Sequence, residues 1–236
     1  VAGGNRQDKT LYEDLSSPTA DQSSVMTIAT IAACEHRNVA TCDIGGAYLN
    51  APMVPTGIIV HMRIDRTLSA ILAKLDPEYE AFLDMKGTCI VQLDNALHGC
   101  IESAALWYAQ LSTFLTTELG FVANTHDPCV FNINNKEGKQ LTIVLHVDDM
   151  LLTCEDKSTI EDVLAAIEAR YPDTTVSFGH KNGFLGMSMD FEVKGECEVT
   201  MNGMVDDVTD KAEVDGKAST PAASTLFEVD ESKLPV

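Results

Sequence analysis

A chain of 236 residues, 45% apolar and 22% charged, has the size and composition of an ordinary globular protein of one large or two small domains. Its 36 acidic and 16 basic residues leave a formal charge of −20. That charge opposes nucleic-acid binding unless a local basic groove, metal ions or other parts of a longer chain offset it. No apolar run approaches the roughly 20 residues of a membrane span. The first residues, VAGGNRQDKT, carry neither an initiating Met nor a signal-peptide core, so they read as the middle of a longer polypeptide.

Residues 1–20 are polar and read as a loop leading into the fold. Residues 21–37 have helical spacing: Asp21 or Ser23 caps, Val25, Ile28, Ala29, Ala32 and Ala33 share a face, and Arg37 suits the last turn. A short strand over 39–44 ends on Asp43 and runs into Gly45-Gly46, a pair that lets the backbone approach a ligand closely. Residues 47–52 are turn or short helix, and 58–62 a strand. Residues 65–84 are helical, divided by Pro77 and ended by Gly87, with a strand over 89–93 after them. The longest helix runs from Glu102 to Leu119. Leu106, Trp107, Leu111, Phe114 and Leu115 form its apolar stripe, and Gly120 stands at its C′ position. Trp107, the lone tryptophan, reads as a core anchor.

Residues 129–133 form a strand, followed by a hairpin turn over Asn134 to Gly138. The apolar run Leu141 to Val147 leads into Asp148 and Asp149, and the run Met150 to Thr153 leads out. Two β-rich runs around a short polar break predict a hairpin with its tip at the acids. Neither Asn-Gly nor Asp-Gly is there, so turn chemistry alone does not explain the break. Residues 157–170 are an amphipathic helix with Ile160, Val163, Leu164 and Ile167 inward. Strands follow around 174–178, over 184–193 and over 196–201. From Asn202 the pattern weakens to a part-helical, then linker-like segment. Strands and helices without strict βαβ alternation predict an α+β fold.

The chemistry gathers at the acids. Adjacent carboxylates on a rigid sheet repel one another and lose hydration, a conflict that Mg²⁺ would remove, because it is held by one or two carboxylates plus substrate phosphates. A solvated acidic turn is the competing reading. If the strand ending on Asp43 shares a sheet with the hairpin, three carboxylates converge on one pole, an arrangement suited to two-metal phosphoryl transfer or to metal-dependent nuclease chemistry. An aspartic protease is excluded, since Asp43-Ile44-Gly45 lacks the hydroxyl residue of such a loop and has no second copy. His146, two residues before Asp148, shares its face by strand alternation, where it either tunes a metal site or, the commoner case for such a histidine, packs beside the motif. His98 and His126 receive no role. The seven cysteines, odd in number and without a Cys-x-x-Cys pair, read as reduced, mostly buried thiols of an intracellular protein.

Together these segments resemble the reverse transcriptases of Ty1/copia-type retrotransposons. The resemblance rests on Asp14 to Thr19, CDIGGAYLNAPM (Cys42 to Met53), VQLDNALHGCIESAALWY (Val91 to Tyr108), LGFVANTHDPCVF (Leu119 to Phe131), LHVDDMLLTC (Leu145 to Cys154), FLGM (Phe184 to Met187) and the tail from Thr220 to Glu231. It implies a right-hand polymerase. Residues 1–201 would be fingers and palm, lacking the N-terminal part of the fingers, with an antiparallel palm sheet flanked by helices. Residues 202–236 would be a partial thumb or linker.

By motif, Asp43, Asp148 and Asp149 would be the catalytic carboxylates holding Mg²⁺ or Mn²⁺, with the Ile44 carbonyl ancillary and Asp148 a more direct ligand than Asp149. Tyr48 would exclude a ribose 2′-OH, although a half-buried packing aromatic is the alternative. Gly45 and Gly46 would lie at the nucleotide, and Leu185, Gly186 and Met187 at the primer grip. The implied activity is RNA-directed DNA polymerisation, a primer 3′-OH attacking the α-phosphate of a dNTP. The implied partners are an RNA or DNA template-primer, dNTPs, and the rest of a Pol polyprotein, with fingers upstream and RNase H downstream. The implied setting is a cytoplasmic virus-like particle, with no membrane partner.

Two departures stand out. The basic Lys-Gln-Ala-Pro-Arg run of such elements is CIESAAL here (Cys100 to Leu106), with Glu102 for the glutamine, and Gly45 stands where a Lys is common. They keep open an alternative, a decayed or excised element fragment that folds and binds Mg²⁺ without polymerising.

Overall fold

A computed structural model describes residues 4–12, 15–53 and 57–212 of the chain. Asp14, at the head of the first motif, and the tail from Thr220 to Glu231 lie outside the described residues. The chain divides into two compact units, the first ending at Thr200 and the second beginning at Met201.

The strand β1 (Asn38–Ile44) lies between β7 (Asp149–Cys154) and β8 (Thr174–Phe178) in a six-stranded antiparallel sheet. Beyond β7 come β6 (Gln140–His146), β5 (Val130–Asn134) and the two-residue β4 (Val122–Ala123), which the sequence did not announce. A second pair, β2 (His61–Ile64) with β3 (Cys89–Gln92), and a three-stranded sheet of β9 (Lys181–Phe184), β10 (Met187–Asp190) and β11 (Glu198–Thr200) complete the first unit's strands. The fold is α+β, as the element pattern predicts.

The large sheet is covered on both faces, which is why β6 and β7 are buried at consecutive positions rather than at alternate ones. On one face Cys42, Ile44, Leu145, Met150 and Leu152 pack against Trp107 and Leu111 of α3 (Ser103–Thr113) and Ile160, Leu164 and Ile167 of α4 (Lys157–Arg170). On the other, Val39, Val144 and Leu151 meet Val25, Ile28 and Ala32 of α1 (Gln22–Cys34) together with Phe184, Met187 and Met189 of the small sheet. Asp21 caps α1 by accepting from Ser23 N–H at 2.7 Å, and Asp156 caps α4 through Ser158 and Thr159. A further helix, α2 (Arg66–Leu75), is capped by Asp65 and stopped before Pro77, which opens a 3₁₀ turn over Pro77–Phe82. No described helix is long and apolar enough to cross a membrane.

Two elements differ from their sequence reading. The helix expected over 102–119 is α-helical only to Thr113, and Phe114–Glu118 widen into a π-helical turn. Thr113, Thr116 and Thr117 each donate a hydroxyl to the carbonyl four residues back, competing with the backbone ladder along this stretch. The strand expected over 184–193 is instead a hairpin. Leu185 and Gly186 both have positive φ, 54° and 74°, the pattern of a two-residue type I′ turn, so the chain reverses between β9 and β10. In the second unit, α5 (Asn202–Lys211) bears out the part-helical reading after Asn202.

The N-terminal residues are tied down rather than merely looped. Gly4 N–H donates to Gly99 O at 2.9 Å, and Gln7 Oε1 accepts from Ile101 N–H at 2.9 Å. Glu102, only 2% exposed, accepts from Gln7 Nε2 and from the Tyr12 hydroxyl, each at 2.9 Å. Burial and the bond to this carboxylate push the Tyr12 hydroxyl up to about 12. No salt-bridge partner balances Glu102 among the described residues. Glu102→Ala is expected to leave both donors unpaired and lower unfolding free energy by about 2 to 3 kcal/mol in urea titration.

Candidate active site

The sheet register brings the first acid to the hairpin. Asp43 lies directly opposite Asp149 in the β1–β7 ladder, and Asp149 lies opposite His146 in the β6–β7 ladder. On the far side Asp43 faces Thr175 of β8. Directly opposed residues point to the same face, so His146, Asp149, Asp43 and Thr175 form a row across four strands. That face is the one on which α1 and the β9–β10 hairpin pack. Leu185, Gly186 and Met187 therefore belong to the same side of the sheet as the opposed acids.

The tip itself is a two-residue turn, Val147-Asp148, closing β6 onto β7. Asp148 is thus in the turn and not in a strand, so alternation from His146 does not reach it. The residue sharing His146's face is Asp149, a correction to the sequence expectation, because the reversal resets the strand period. The Asp148 carbonyl accepts from Ile44 N–H at 3.2 Å, which laces the turn to the end of β1. Ile44 is 0% exposed, so this conformation offers no solvent access to its carbonyl, the expected ancillary ligand.

The charges interact. Desolvation, then Asp148, then Asp173 raise the Asp43 carboxyl above its ordinary 3.8. Desolvation, Asp148 and Asp43 raise Asp149, against a smaller lowering by His146. Asp173 is a fourth acid at this pole that sequence reasoning missed. It lies ahead of β8 in no recognisable motif, and only the β1–β8 pairing brings it here. Its carbonyl accepts from Gly45 N–H at 2.6 Å. A Cβ on Gly45 would collide with the Asp173 carboxylate and stand 2.8 Å from its carbonyl oxygen. The departure at Gly45 is therefore built into the packing. Gly46, with φ of 60°, turns the chain into the 3₁₀ segment Ala47–Asn50.

Tyr48 of that segment is half-buried and stacked on His98, ring centroids 5.7 Å apart at 21°. Both line a cavity of about 430 Å³ whose other walls include His146, Val147 and Asp148. Desolvation and Asp148 raise the Tyr48 hydroxyl. His98, to which sequence reasoning gave no role, is a wall of this cavity and the partner of Tyr48.

Among the described residues no three His, Cys, Asp or Glu side chains are grouped to hold an ion by themselves. The chemistry fits an ion nonetheless. Opposed carboxylates, raised by desolvation and by neighbouring acids, are hard oxygen donors, and Mg²⁺ is characteristically held by one or two of them with substrate phosphates completing the shell. The seven cysteines are free thiols, of which Cys42, Cys89, Cys129 and Cys154 are buried and Cys34 is exposed.

Comparison with known proteins places these features in context. Residues 1–224 match the family described as reverse transcriptase (RNA-dependent DNA polymerase). The Transposon Ty1-GR3 Gag-Pol polyprotein of Saccharomyces cerevisiae is 24% identical over 183 residues, covering 77% of this chain and 9% of that protein. The Ty1-DR5 Gag-Pol polyprotein of the same yeast is 23% identical over 214 residues, covering 89% of this chain and 11% of that protein. The chain thus spans about a tenth of the length of these curated relatives. Among solved structures, an apo telomerase from Candida tropicalis truncated from its C-terminal domain matches 78% of this chain and 41% of that chain, with 10% identity and a TM-score of 0.44.

Two outcomes follow from the site's geometry. Because the folded chain holds protons on Asp43 and Asp149 more tightly than the unfolded chain, stability falls as pH rises from the ordinary carboxylate value through the raised folded values, and stays lower above them. Asp149→Asn should therefore raise the Tm of the metal-free protein by a few degrees at pH 7. The gain should vanish where both states are protonated, as read by calorimetry across pH. Gly45→Ala must displace the backbone of Asp173, and a loss of about 1 to 3 kcal/mol is expected in denaturant titration.

Proposed function

This chain belongs to the reverse transcriptase (RNA-dependent DNA polymerase) family, and on that premise we propose that it is the polymerising domain of a copia-like element, extending a primer 3′-OH with dNTPs on an RNA or DNA template. The observation that carries the reading is the direct opposition of Asp43 and Asp149 beside the Asp148 turn, on the sheet face that also bears the β9–β10 hairpin. The residues suit nucleotidyl transfer. Asp43, Asp148 and Asp149, with Asp148 the more direct ligand of the adjacent pair, would hold divalent ions, Mg²⁺ or Mn²⁺, together with the phosphates of the incoming nucleotide. When bound, such ions supply charge neutralisation at the attacking and leaving oxygens. Tyr48, braced by His98, forms the wall beside Asp148 and would exclude a 2′-OH from the sugar's place. Gly46, lacking a side chain, leaves room for the nucleotide. Leu185, Gly186 and Met187, at the tight β9–β10 turn, would steady the primer strand.

In hand terms, the six-stranded sheet with α3 and α4 would be the palm, and the segment from residue 202 the start of a thumb. That the relatives are Gag-Pol polyproteins of which this chain covers about a tenth supports flanking parts, which we take to be fingers upstream and RNase H downstream, and the setting proposed with them is a cytoplasmic virus-like particle. These flanks would also supply the positive charge that a chain of net charge −20 lacks.

A second reading, a fragment that binds metal without polymerising, is favoured by Glu102. This residue stands where the family has a glutamine, and its carboxylate is buried and engaged by Gln7 and Tyr12.

Primer extension on an RNA template with Mg²⁺ separates the two. Under the polymerase reading the wild-type chain, or a longer chain carrying the upstream segment, extends the primer, and Asp43→Asn or Asp149→Asn lowers the rate at least about 10²-fold. Retained Mn²⁺ binding with no extension by either chain would leave the second reading standing.

A further inference from the structure

The acidic turn is held in an unfavourable shape by a residue outside it. Val147 has φ of 60°, a left-handed conformation that a β-branched residue rarely adopts, whereas Asp148 is not among the residues with positive φ. A positive φ at the first central residue alone is the type II′ pattern, which normally places Gly there. Types I′ and II′ share the first central φ. They differ by a flip of the peptide between the two central residues, which reverses its carbonyl and the sign of the second φ. The carbonyl in question is that of Val147, and the Trp107 indole N–H donates to it at 2.6 Å.

Trp107 has no freedom to follow a flipped carbonyl. It is 1% exposed, and its ring meets the edge of Tyr171 at 5.3 Å and 70°. Tyr171 meets Phe114 in turn at 5.8 Å and 81°. The carbonyl after the flipped peptide is also held, since Asp148 O accepts from Ile44 N–H. Flipping the central peptide would leave the buried indole donor unpaired.

We infer that Trp107 is a positioning residue: through the indole N–H bond to the Val147 carbonyl it selects the II′ turn, and so aims the Asp148 carboxylate beside Asp149 and Asp43. This deepens the proposed function, since it rests on the acids being the cation-holding group. The turn selection itself is independent of any ion.

The test is a double-mutant cycle. Trp107→Phe retains an aromatic ring and deletes the donor. Val147→Gly supplies the residue that takes II′ unaided. Mn²⁺ affinity is read by electron paramagnetic resonance of free Mn²⁺, and stability by calorimetry without metal. Trp107→Phe is expected to keep its circular dichroism and bind Mn²⁺ about tenfold more weakly, the scale set by one strained backbone position. Adding Val147→Gly should restore most of that affinity. In metal-free protein the same Val147→Gly change should raise the Tm of the wild type more, or lower it less, than that of Trp107→Phe, because only the intact indole bond holds Val147 in the strained turn. A loss of affinity that Val147→Gly does not mitigate, with additive changes in Tm, would overturn the inference and make Trp107 a packing residue only. If the wild type binds no Mn²⁺, the metal reading of the acids fails, and the metal-free cycle still decides whether Trp107 selects the turn.

Discussion

Two acidic residues face one another across a pair of antiparallel strands, Asp43 on β1 and Asp149 on β7, and the candidate site depends on that opposition. Nothing in folding favours it. Both carboxyls are raised by desolvation and by their acidic neighbours, so the metal-free chain carries an electrostatic penalty at this pole. The register that imposes the penalty is set elsewhere, along the apolar lengths of β1, β6 and β7. A slip of one residue there would turn Ile44, Met150 and Leu152 out of one core and Val39 and Leu151 out of the other. The core thus dictates where the acids meet, and the cation proposed for this site would relieve what the core enforces.

The aromatic cluster under the hairpin ties the two sides of the site together. Trp107 bonds the carbonyl of Val147, and Tyr171, against which Trp107 packs, lies two residues before Asp173, whose carbonyl receives Gly45 N–H. The turn bearing Asp148 and the glycine following Asp43 are both fixed from this one buried group. Such support suits a site that must hold carboxylates close against their repulsion.

Charge separates the site from its expected substrate. Four aspartates cluster at the pole, the chain as a whole is strongly acidic, and the run from Cys100 to Leu106 has no basic residue. Glu102 in that run does not face the cavity beside Asp148. It turns inward to Gln7 and Tyr12 and anchors the N-terminal segment to the start of α3. Glu102 thus has a structural role, its carboxylate satisfied by the Gln7 amide and the Tyr12 hydroxyl.

Much of this was legible in the sequence. Hydrophobic period and capping residues placed α1, α4 and the paired strands around the acids, because these are local properties of the chain. The motifs around Asp43, Asp148 and Asp149 pointed to carboxylates that converge, and to the family. Other features are not local and needed the tertiary structure. Positive φ at Leu185 split an apparent strand into a hairpin, since an apolar residue in a turn carries no turn signature. Asp173 joined the acids only through strand pairing, and His98 became the partner of Tyr48 across fifty residues of chain. Above all, the shape of the Val147-Asp148 turn lies in no propensity of its own two residues. It is decided by a hydrogen bond from a helix forty residues away, and a bond of that kind exists only once the sheet and α3 have packed.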